Sequence, residues 1–538
     1  MTTDDILSMK YTKNNPIVIG TRGSKLALWQ AHFTQKTLEE NGFAVKIVII
    51  KTQGDNIQHL SFDKLEGKGF FTKEIETALL QGEIDLAVHS HKDLPTTPTP
   101  ELEIAACSYR EDPADILLIK PEKVNTQNVF SLENNTLVGT SSPRRKEQLL
   151  LLNPSLRIEN LRGNVPTRIN KLREGQYDAI VLASAGIKRL GIDLSDFFVH
   201  HLPLHEMIPA PAQGVLAYQI RENDADLARI LQQYLHNSAV QQAIAVERKI
   251  LNLLEGGCQL PVGVHCHLAE NNAQVWACFG DEKHTFKRVY KSLPYEPSIL
   301  PQKIVAELTT SAKRNIFISR NLQEHSLFRQ LIEKAGHSLQ AESLLQFEPI
   351  NTTLPQILCE WVFFTSKKAV HFWAMNHHEY LADKKLAAIG QGTANALQEA
   401  GFSCHFIGKS DDAAMVAATF LKETKAKTVL FPQAQHSVQS IQRHLPESVR
   451  VYNFPVYKNT ARKNVLIQPC DIAVLTSPLN AAAFFEQYTA QNSPEIVAIG
   501  KTTQAYIQQN GTKNCYKSYA THEVALADTC LGLATAKN

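Results

Sequence analysis

The sequence predicts an α/β protein built of several lobes. Three observations carry that expectation. Apolar strand, small polar loop and helix follow one another many times along the chain. Short motifs recur in pairs, twice with nearly the same offset. The 538 residues, 43% hydrophobic and 20% charged, exceed the roughly 100–200 of one domain and are too apolar for a disordered chain.

In chain order, Ile17-Val18-Ile19 is a short strand, Gly20-Thr21-Arg22-Gly23-Ser24 the loop after it, and a helical run starts at Lys25. Lys46 to Lys51 reads as a second strand. Asp85 to His89, preceded by Gly82 and followed by a polar loop, reads as a third. Such alternation implies mainly parallel sheets. Gly139-Thr140-Ser141-Ser142 echoes Gly20 to Ser24, and Gly175-x-x-Asp178-x-x-Val181 echoes Gly82-x-x-Asp85-x-x-Val88. The first part of the chain therefore reads as two related lobes. Leu293 to Pro301 is rich in breakers. A helix from about Gln302 to Thr310 and a strand Ile316-Phe317-Ile318 follow, so the main boundary falls near Ala312.

The last third repeats itself. Val362 to Ser366 leads into Lys367 to Phe372, and Ala473 to Ser477 leads into Pro478 to Phe484, with the two serines 111 positions apart. Ala388-Ile389-Gly390-x-x-Thr393 matches Ala498-Ile499-Gly500-x-x-Thr503 at an offset of 110. A duplicated strand–loop–helix unit predicts two similar lobes.

Charge and targeting narrow the function. Lys+Arg total 55 and Asp+Glu 53, a net charge of +2, which argues against a nucleic-acid binder. No apolar run approaches the roughly 18–20 residues of a membrane span. The acidic start, Met1-Thr2-Thr3-Asp4-Asp5, has no signal-peptide pattern. Nine scattered cysteines without a Cys-x-x-Cys pair read as reduced thiols, so a cytoplasmic protein is expected. His265-Cys266-His267 lacks a second ligand pair at zinc spacing, and no metal site is expected.

Three groups of residues carry chemistry. Leu137 to Leu190 holds ten Lys/Arg against four Asp/Glu, with Arg144, Arg145, Arg162, Arg168 and Arg189 in or beside loops. Guanidinium forks pair with carboxylate or phosphate, and Ser141 and Ser142 stand at a strand-to-helix turn that favours anions. The cluster is either a solvated helix face or a pocket for a ligand with several negative groups. Lys92 and Asp93, in His89 to Pro95, are either a surface ion pair or a carboxylate kept ionised among cations, able to stabilise positive charge or shuttle a proton. Cys258, after Gly256-Gly257, is either a plain buried thiol or a nucleophile or attachment point.

These residues resemble those of hydroxymethylbilane synthase, also called porphobilinogen deaminase. The resemblance covers about residues 1–312. It rests on Gly20 to Gln30, Lys68 to Glu74, His89 to Pro95, Gly139 to Arg145, Leu161 to Arg168, Pro209 to Gly214 and Glu255 to Pro261. Residues 313–538 resemble uroporphyrinogen-III synthase more loosely, through the repeated Thr-Ser and Ile-Gly motifs and Pro455-Val456-Tyr457-Lys458-Asn459-Thr460.

The resemblance implies a bifunctional enzyme of haem biosynthesis. The first family joins four porphobilinogen molecules with loss of ammonia, on a dipyrromethane cofactor attached to a cysteine, here Cys258. Lys92, Asp93, Thr140, Ser142, Arg144, Arg145 and Arg162 are implied to hold that cofactor. Arg22, Ser24, Arg168, Arg189 and Gln213 are implied to line the path of the substrate and growing chain. Asp93 is the implied catalyst. Pro143, Pro166, Ala212 and His91 depart from the family pattern; the two prolines are expected in loops, Ala212 stands where many relatives have glycine, and His91 where the residue is often apolar. The second family closes hydroxymethylbilane to uroporphyrinogen III, with Tyr457 assisting loss of the hydroxyl and Ser366, Thr393, Ser477 and Thr503 donating to carboxylates. Serine and threonine are also ordinary helix caps, so each hydroxyl keeps both readings.

The implied fold is two periplasmic-binding-protein-like lobes (about 1–112 with 213–232, and 113–212) and a small α+β third domain (about 233–312). Two flavodoxin-like lobes follow over 313–538, exchanging chain near 347–350 and 452–456. The double-lobe pattern alone also permits a binding protein without catalysis, though Cys258 and Asp93 do not suit a receptor. The looser C-terminal motifs also permit a non-catalytic docking module.

Overall fold

The computed structural model describes residues 10–11, 15–52, 72–126, 128–254, 260–269, 272–280, 286–309, 312–351, 359–381, 383–410, 412–488, 493–512 and 514–533. The chain forms two compact units. One comprises Met1–Lys313, His325–His337 and Glu523–Asn538, the other Arg314–Glu324 and Ser338–His522.

The first unit contains β1 (Ile17–Thr21), β2 (Val45–Ile49), β3 (Leu86–Ser90), β4 (Leu102–Cys107), β5 (Asp115–Ile119), β6 (Leu137–Gly139), β7 (Arg157–Glu159), β8 (Ala179–Ala183), β9 (Phe198–Leu202) and β10 (Leu216–Arg221). They form two five-stranded sheets, β2-β1-β3-β10-β4 and β7-β6-β8-β5-β9. β1 runs parallel to β2 and β3, and β6 parallel to β7 and β8. β10 is antiparallel to β3 and β4, and β5 antiparallel to β8 and β9. The sheets are therefore mixed where mainly parallel ones were expected. β5 and β10 enter their sheets directly from the other one, so no crossover helix dictates their direction.

The glycine–aspartate echoes do the same job twice. Gly82 and Gly175 hold φ +75° and +80°, the left-handed conformation that glycine adopts without strain. Three residues on, Asp85 Oδ2 accepts from Val18 N at 3.1 Å and Asp178 Oδ2 from Leu137 N at 3.0 Å. Each carboxylate pins the start of one strand to its parallel neighbour.

Helix Ser238–Leu253, capped by Asn237, is followed by the antiparallel strands β11 (Val262–Ala269), β12 (Asn272–Gly280) and β13 (Phe286–Pro294) and by helix Leu300–Thr309.

The second unit contains β14 (Asn315–Ile318), β15 (Ser338–Ala341), β16 (Leu345–Pro349), β17 (Trp361–Phe364), β18 (Lys385–Ala388), β19 (Phe406–Ile407), β20 (Thr428–Ala434), β21 (Arg450–Ala461), β22 (Ile472–Leu475), β23 (Glu495–Ala498) and β24 (Cys515–Lys517). One sheet, β15-β14-β22-β23-β24, is wholly parallel. The other, β16-β21-β20-β17-β18-β19, is parallel except that β16 lies antiparallel to β21. The repeated motifs become the same unit in each sheet. β17 leads to helix Lys367–His377 and β22 to Pro478–Gln487; β18 leads to Gln391–Glu399 and β23 to Lys501–Gln509. Trp361–Phe364 and Ile472–Leu475 are buried at every position, as strands covered on both faces must be. Among the described residues no helix is long and apolar enough to cross a membrane.

Candidate active site

The site is built at strand ends. After β6, Ser141 Oγ donates to Leu161 O at 2.9 Å, and Thr140 Oγ1 accepts from Ser142 N at 3.2 Å. Helix Pro143–Leu152 follows. Pro143 and Pro166, expected in loops, instead stand in the first turns of this helix and of helix Val165–Arg173, where a missing N–H costs nothing.

Arg144 and Arg145 lie in the first turn of helix Pro143–Leu152, the end that disfavours cations. Asp115, the first residue of β5, compensates both. Its Oδ2 accepts from Arg144 Nη1 at 2.8 Å and its Oδ1 from Arg145 Nη2 at 2.7 Å. Arg144 Nη1 also donates to Ile208 O at 2.8 Å, and Arg145 Nη1 to Val181 O at 3.0 Å. Asp115 is fully buried. Burial pushes its carboxyl up, but the two guanidiniums outweigh that and hold it well below the ordinary carboxylate range.

The network continues through Gln213. Its Nε2 donates to Asp115 Oδ1 at 3.1 Å and to Pro113 O at 2.7 Å; its Oε1 accepts from Lys92 Nζ at 3.1 Å. Lys92, half-buried in the 3-10 turn His91–Asp93 that follows β3, is pushed down to about 8 by burial, and Arg145 and Arg144 add to that against the pull of Asp93. The Asp93 side chain is exposed beside this network, and its charge acts on Lys92, Arg145 and Arg168. Arg168 Nε donates to Gly163 O at 2.7 Å; burial and the charges of Arg145 and Arg162 push the group down to about 10, so it stays charged at neutral pH. Lys92, Asp93, Arg144, Arg145, Arg162, Arg168 and Gln213 are thus brought into one electrostatic neighbourhood.

The remaining predicted residues are held by contacts of their own. Arg189 Nη2 donates to Gly214 O at 2.6 Å, with its guanidinium 5.7 Å from the Trp29 ring centroid. Gly214 holds φ +89°, and a Cβ there would stand 2.2 Å from Glu111 O. Ser24 caps helix Lys25–Glu40, accepting from Ala27 N at 3.3 Å. Half-buried Arg22 helps burial push His89 down to about 4. His91 is pushed down to about 3, chiefly by burial, so it fills its apolar-type position as a neutral ring. Ala212 holds φ +59°, a conformation that costs an alanine roughly 1 kcal/mol more than a glycine. Cys258 lies outside the described residues, as does most of the Lys68–Glu74 motif.

Two carboxylates were not anticipated. Asp115 is a lone charge opening the apolar run Ile116–Ile119, and that break in pattern was its only signal. Glu247, on helix Ser238–Leu253, stands beside Arg248 and Lys249 and reads locally as part of a charged helix turn, yet it is fully buried. It accepts from both Arg110 Nη atoms at 2.8 and 2.6 Å, from Ala212 N at 2.7 Å and from Cys266 N at 2.8 Å.

In the second unit, Tyr457 is buried, stacked on Phe372 with centroids 5.2 Å apart, and its hydroxyl lies 3.5 Å from Ser366 Oγ. Burial raises its phenol above the ordinary range. Ser366 and Ser477 both cap helices, accepting from Ala369 N and Asn480 N at 3.1 Å. Thr393 and Thr503 are buried in the first turns of their helices. Ser366, Thr393 and Tyr457 belong to the six-stranded sheet and its helices, Ser477 and Thr503 to the five-stranded one.

Two mixed sheets whose strand ends gather cations around a buried aspartate define an α/β protein suited to a multiply anionic ligand. Residues 17–229 match the family "Porphobilinogen deaminase, dipyromethane cofactor binding domain" and residues 241–310 its C-terminal domain; residues 326–526 match "Uroporphyrinogen-III synthase HemD". A porphobilinogen deaminase of Nitratiruptor sp. is 46% identical over 256 residues, 48% of this chain and 80% of that protein. One from Sulfurimonas denitrificans is 42% identical over 292 residues, 52% of this chain and 91% of that protein. A crystal structure of a Helicobacter pylori uroporphyrinogen-III synthetase is 21% identical, covering 41% of this chain and 99% of that one, with a TM-score of 0.33. The chain belongs to the porphobilinogen deaminase family and carries a uroporphyrinogen-III synthase domain after it, which makes it a bifunctional transferase and cyclising lyase of haem biosynthesis. The synthase match disfavours the docking-module reading.

Proposed function

We propose that this chain, acting in the cytoplasm, joins four porphobilinogen molecules into hydroxymethylbilane with release of ammonia, then closes that product to uroporphyrinogen III with inversion of the last ring. The observation that carries the reading is the network Lys92–Gln213–Asp115–Arg144–Arg145 with Asp93 exposed beside it. Porphobilinogen carries an acetate and a propionate, so every joining step adds two carboxylates that need partners.

The residues fit a dipyrromethane cofactor. Among the described residues Arg145 Nε is buried without a hydrogen-bond partner, a donor that suits a carboxylate. Lys92, Thr140, Ser142, Arg144, Arg145 and Arg162 would hold the group, with Cys258 as its attachment point. When bound, it supplies the free pyrrole end to which the first porphobilinogen is joined. Arg22, Ser24, Arg168, Arg189 and Gln213 would receive the substrate and the lengthening product. Asp93 would set its charge against the cation that develops as ammonia leaves and accept the proton lost on joining. Lys92 binds and tunes Asp93 and is not itself the proton carrier.

In the synthase, Tyr457 would assist loss of the hydroxyl. Ser366, Thr393, Ser477 and Thr503 would orient the substrate; a serine that accepts a capping N–H still has its own O–H to donate. Catalysis there rests chiefly on holding a reactive chain in one folded shape. The deaminase is assigned to about 1–312 as two periplasmic-binding-protein-like lobes and a third domain, and the synthase to 313–538 as two flavodoxin-like lobes.

Intact mass spectrometry of the purified chain tests the centre of this reading. The expected result is an addition of two pyrrole units that Cys258→Ser lacks. An unmodified chain with full porphobilinogen turnover overturns it.

A further inference from the structure

The last helix of the chain, Glu523–Leu531, lies within the first unit. Eight of its nine residues are buried. Asp528, with no exposed surface, faces Arg288 of β13, which is 1% exposed. Arg288 Nε and Nη2 each reach an Asp528 carboxylate oxygen at 3.1 Å. The guanidinium does more than fill a pair. Its Nη2 also donates to Leu204 O at 3.2 Å and His205 O at 3.0 Å, and its Nη1 stands 3.5 Å from Gln148 Oε1.

Those acceptors lead to the cation cluster. The segment that begins at Leu204 ends at Ile208, whose carbonyl accepts from Arg144 Nη1 and from Gln148 Nε2 at 3.0 Å. Ile208 N donates to Gln148 Oε1 at 2.7 Å. Gln148 sits one turn after Arg144 on helix Pro143–Leu152. A second C-terminal segment touches the other end of that helix, where Gln330 Nε2, on helix Leu327–Lys334, donates to Leu151 O at 2.6 Å. Glu523 ties the two segments, accepting from Ser326 Oγ at 2.8 Å and Phe328 N at 3.2 Å. Gly532 completes the fit, since a Cβ there would stand 2.3 Å from Tyr290 O of β13.

We propose that Asp528 is a positioning residue for the deaminase: through Arg288 and the 204–208 segment it fixes Arg144 and the helix that carries the proposed cofactor-binding arginines. Helix Leu327–Lys334 and the start of helix Glu523–Leu531 fall within the synthase match, residues 326–526, and Asp528 lies two residues beyond it. The physical reason is the buried charge. A guanidinium stripped of its carboxylate in a dry interior must move towards water or recruit another acceptor, and either change shifts the carbonyls it holds. The proposal rests on the cofactor reading above for what the arginines do.

The test uses the full-length chain. Asp528→Asn keeps the shape and removes the charge. It is expected to cut both the fraction of chains carrying the two-pyrrole addition and the porphobilinogen kcat by about tenfold, with KM within about twofold of wild type. Asp528→Asn is also expected to melt lower than wild type, and Arg288→Met with Asp528→Leu, which removes both charges, to melt higher than Asp528→Asn, because an apolar pair replaces a buried ion pair at little cost. The double variant also loses the donors to Leu204 and His205, so its kcat stays low. Wild-type loading and kcat in Asp528→Asn overturn the proposal. So does a double variant that recovers kcat together with melting temperature, which assigns the pair a stabilising role alone. A wild-type chain without the addition fails the cofactor reading itself, before any variant is compared.

Discussion

Lys92 shows how much of this chemistry depends on a few neighbours. An isolated lysine is charged throughout the working range, yet burial beside Arg145 and Arg144 brings this one down to about 8. Below about pH 8 Lys92 is protonated and donates to Gln213; above it the charge that balances Asp93 and attracts carboxylates is lost. Porphobilinogen turnover is therefore expected to fall as pH rises through about 8, and Lys92→Arg, charged at every pH of interest, to move that fall to higher pH. Superimposable pH–rate profiles of the two proteins would rule this out. Lys92, Asp93 and the arginines stand out in the sequence as charges beside strand-end glycines and serines, a pattern that alone also suits a solvated surface, and folding gathers them into one neighbourhood. Asp115 does not stand out. One carboxylate ahead of four apolar residues is unremarkable until folding brings Arg144 and Arg145 to it across the sheet.

Single strands and helices were read well where the signal is local. The repeats at offsets of 110 and 111 became matching strand–helix units, and each glycine–aspartate echo became the same turn and the same bond to a neighbouring strand. Strand direction was not readable for β5 and β10, since nothing local says which sheet a strand enters. The cap serines hold their helix starts through single backbone bonds. Ser477→Ala removes the acceptor for Asn480 N and is expected to destabilise the second unit by about 1 kcal/mol, while Ser477→Asp, which keeps an acceptor, changes it by a few tenths. Urea unfolding followed on the second unit's signal checks both. Equal losses in the two variants would mean that the hydroxyl matters for something other than the cap.

For the whole molecule, the two activities set the test. Hydroxymethylbilane closes without help to the type I isomer, so the isomer formed from porphobilinogen reports the second activity alone. The intact chain is expected to yield mostly type III. Tyr457→Phe is expected to shift the product towards type I at unchanged porphobilinogen consumption, and the loss is partial because the ring still stacks on Phe372 and positioning is shared among many contacts. Type III as the main product at the wild-type rate would remove Tyr457 from the mechanism. The α/β class and the duplicated units were readable from local alternation and repeat spacing, the bifunctional family from its resemblance in several short motifs, and the arginines as a local excess of positive charge. Tertiary structure alone decided the antiparallel return strands, the buried carboxylates Asp115 and Glu247, and the seating of Asp528 against Arg288, 240 residues apart. A buried charge is tolerable only beside its partner, and which residue becomes that partner is settled by the packing of elements that share no local signal.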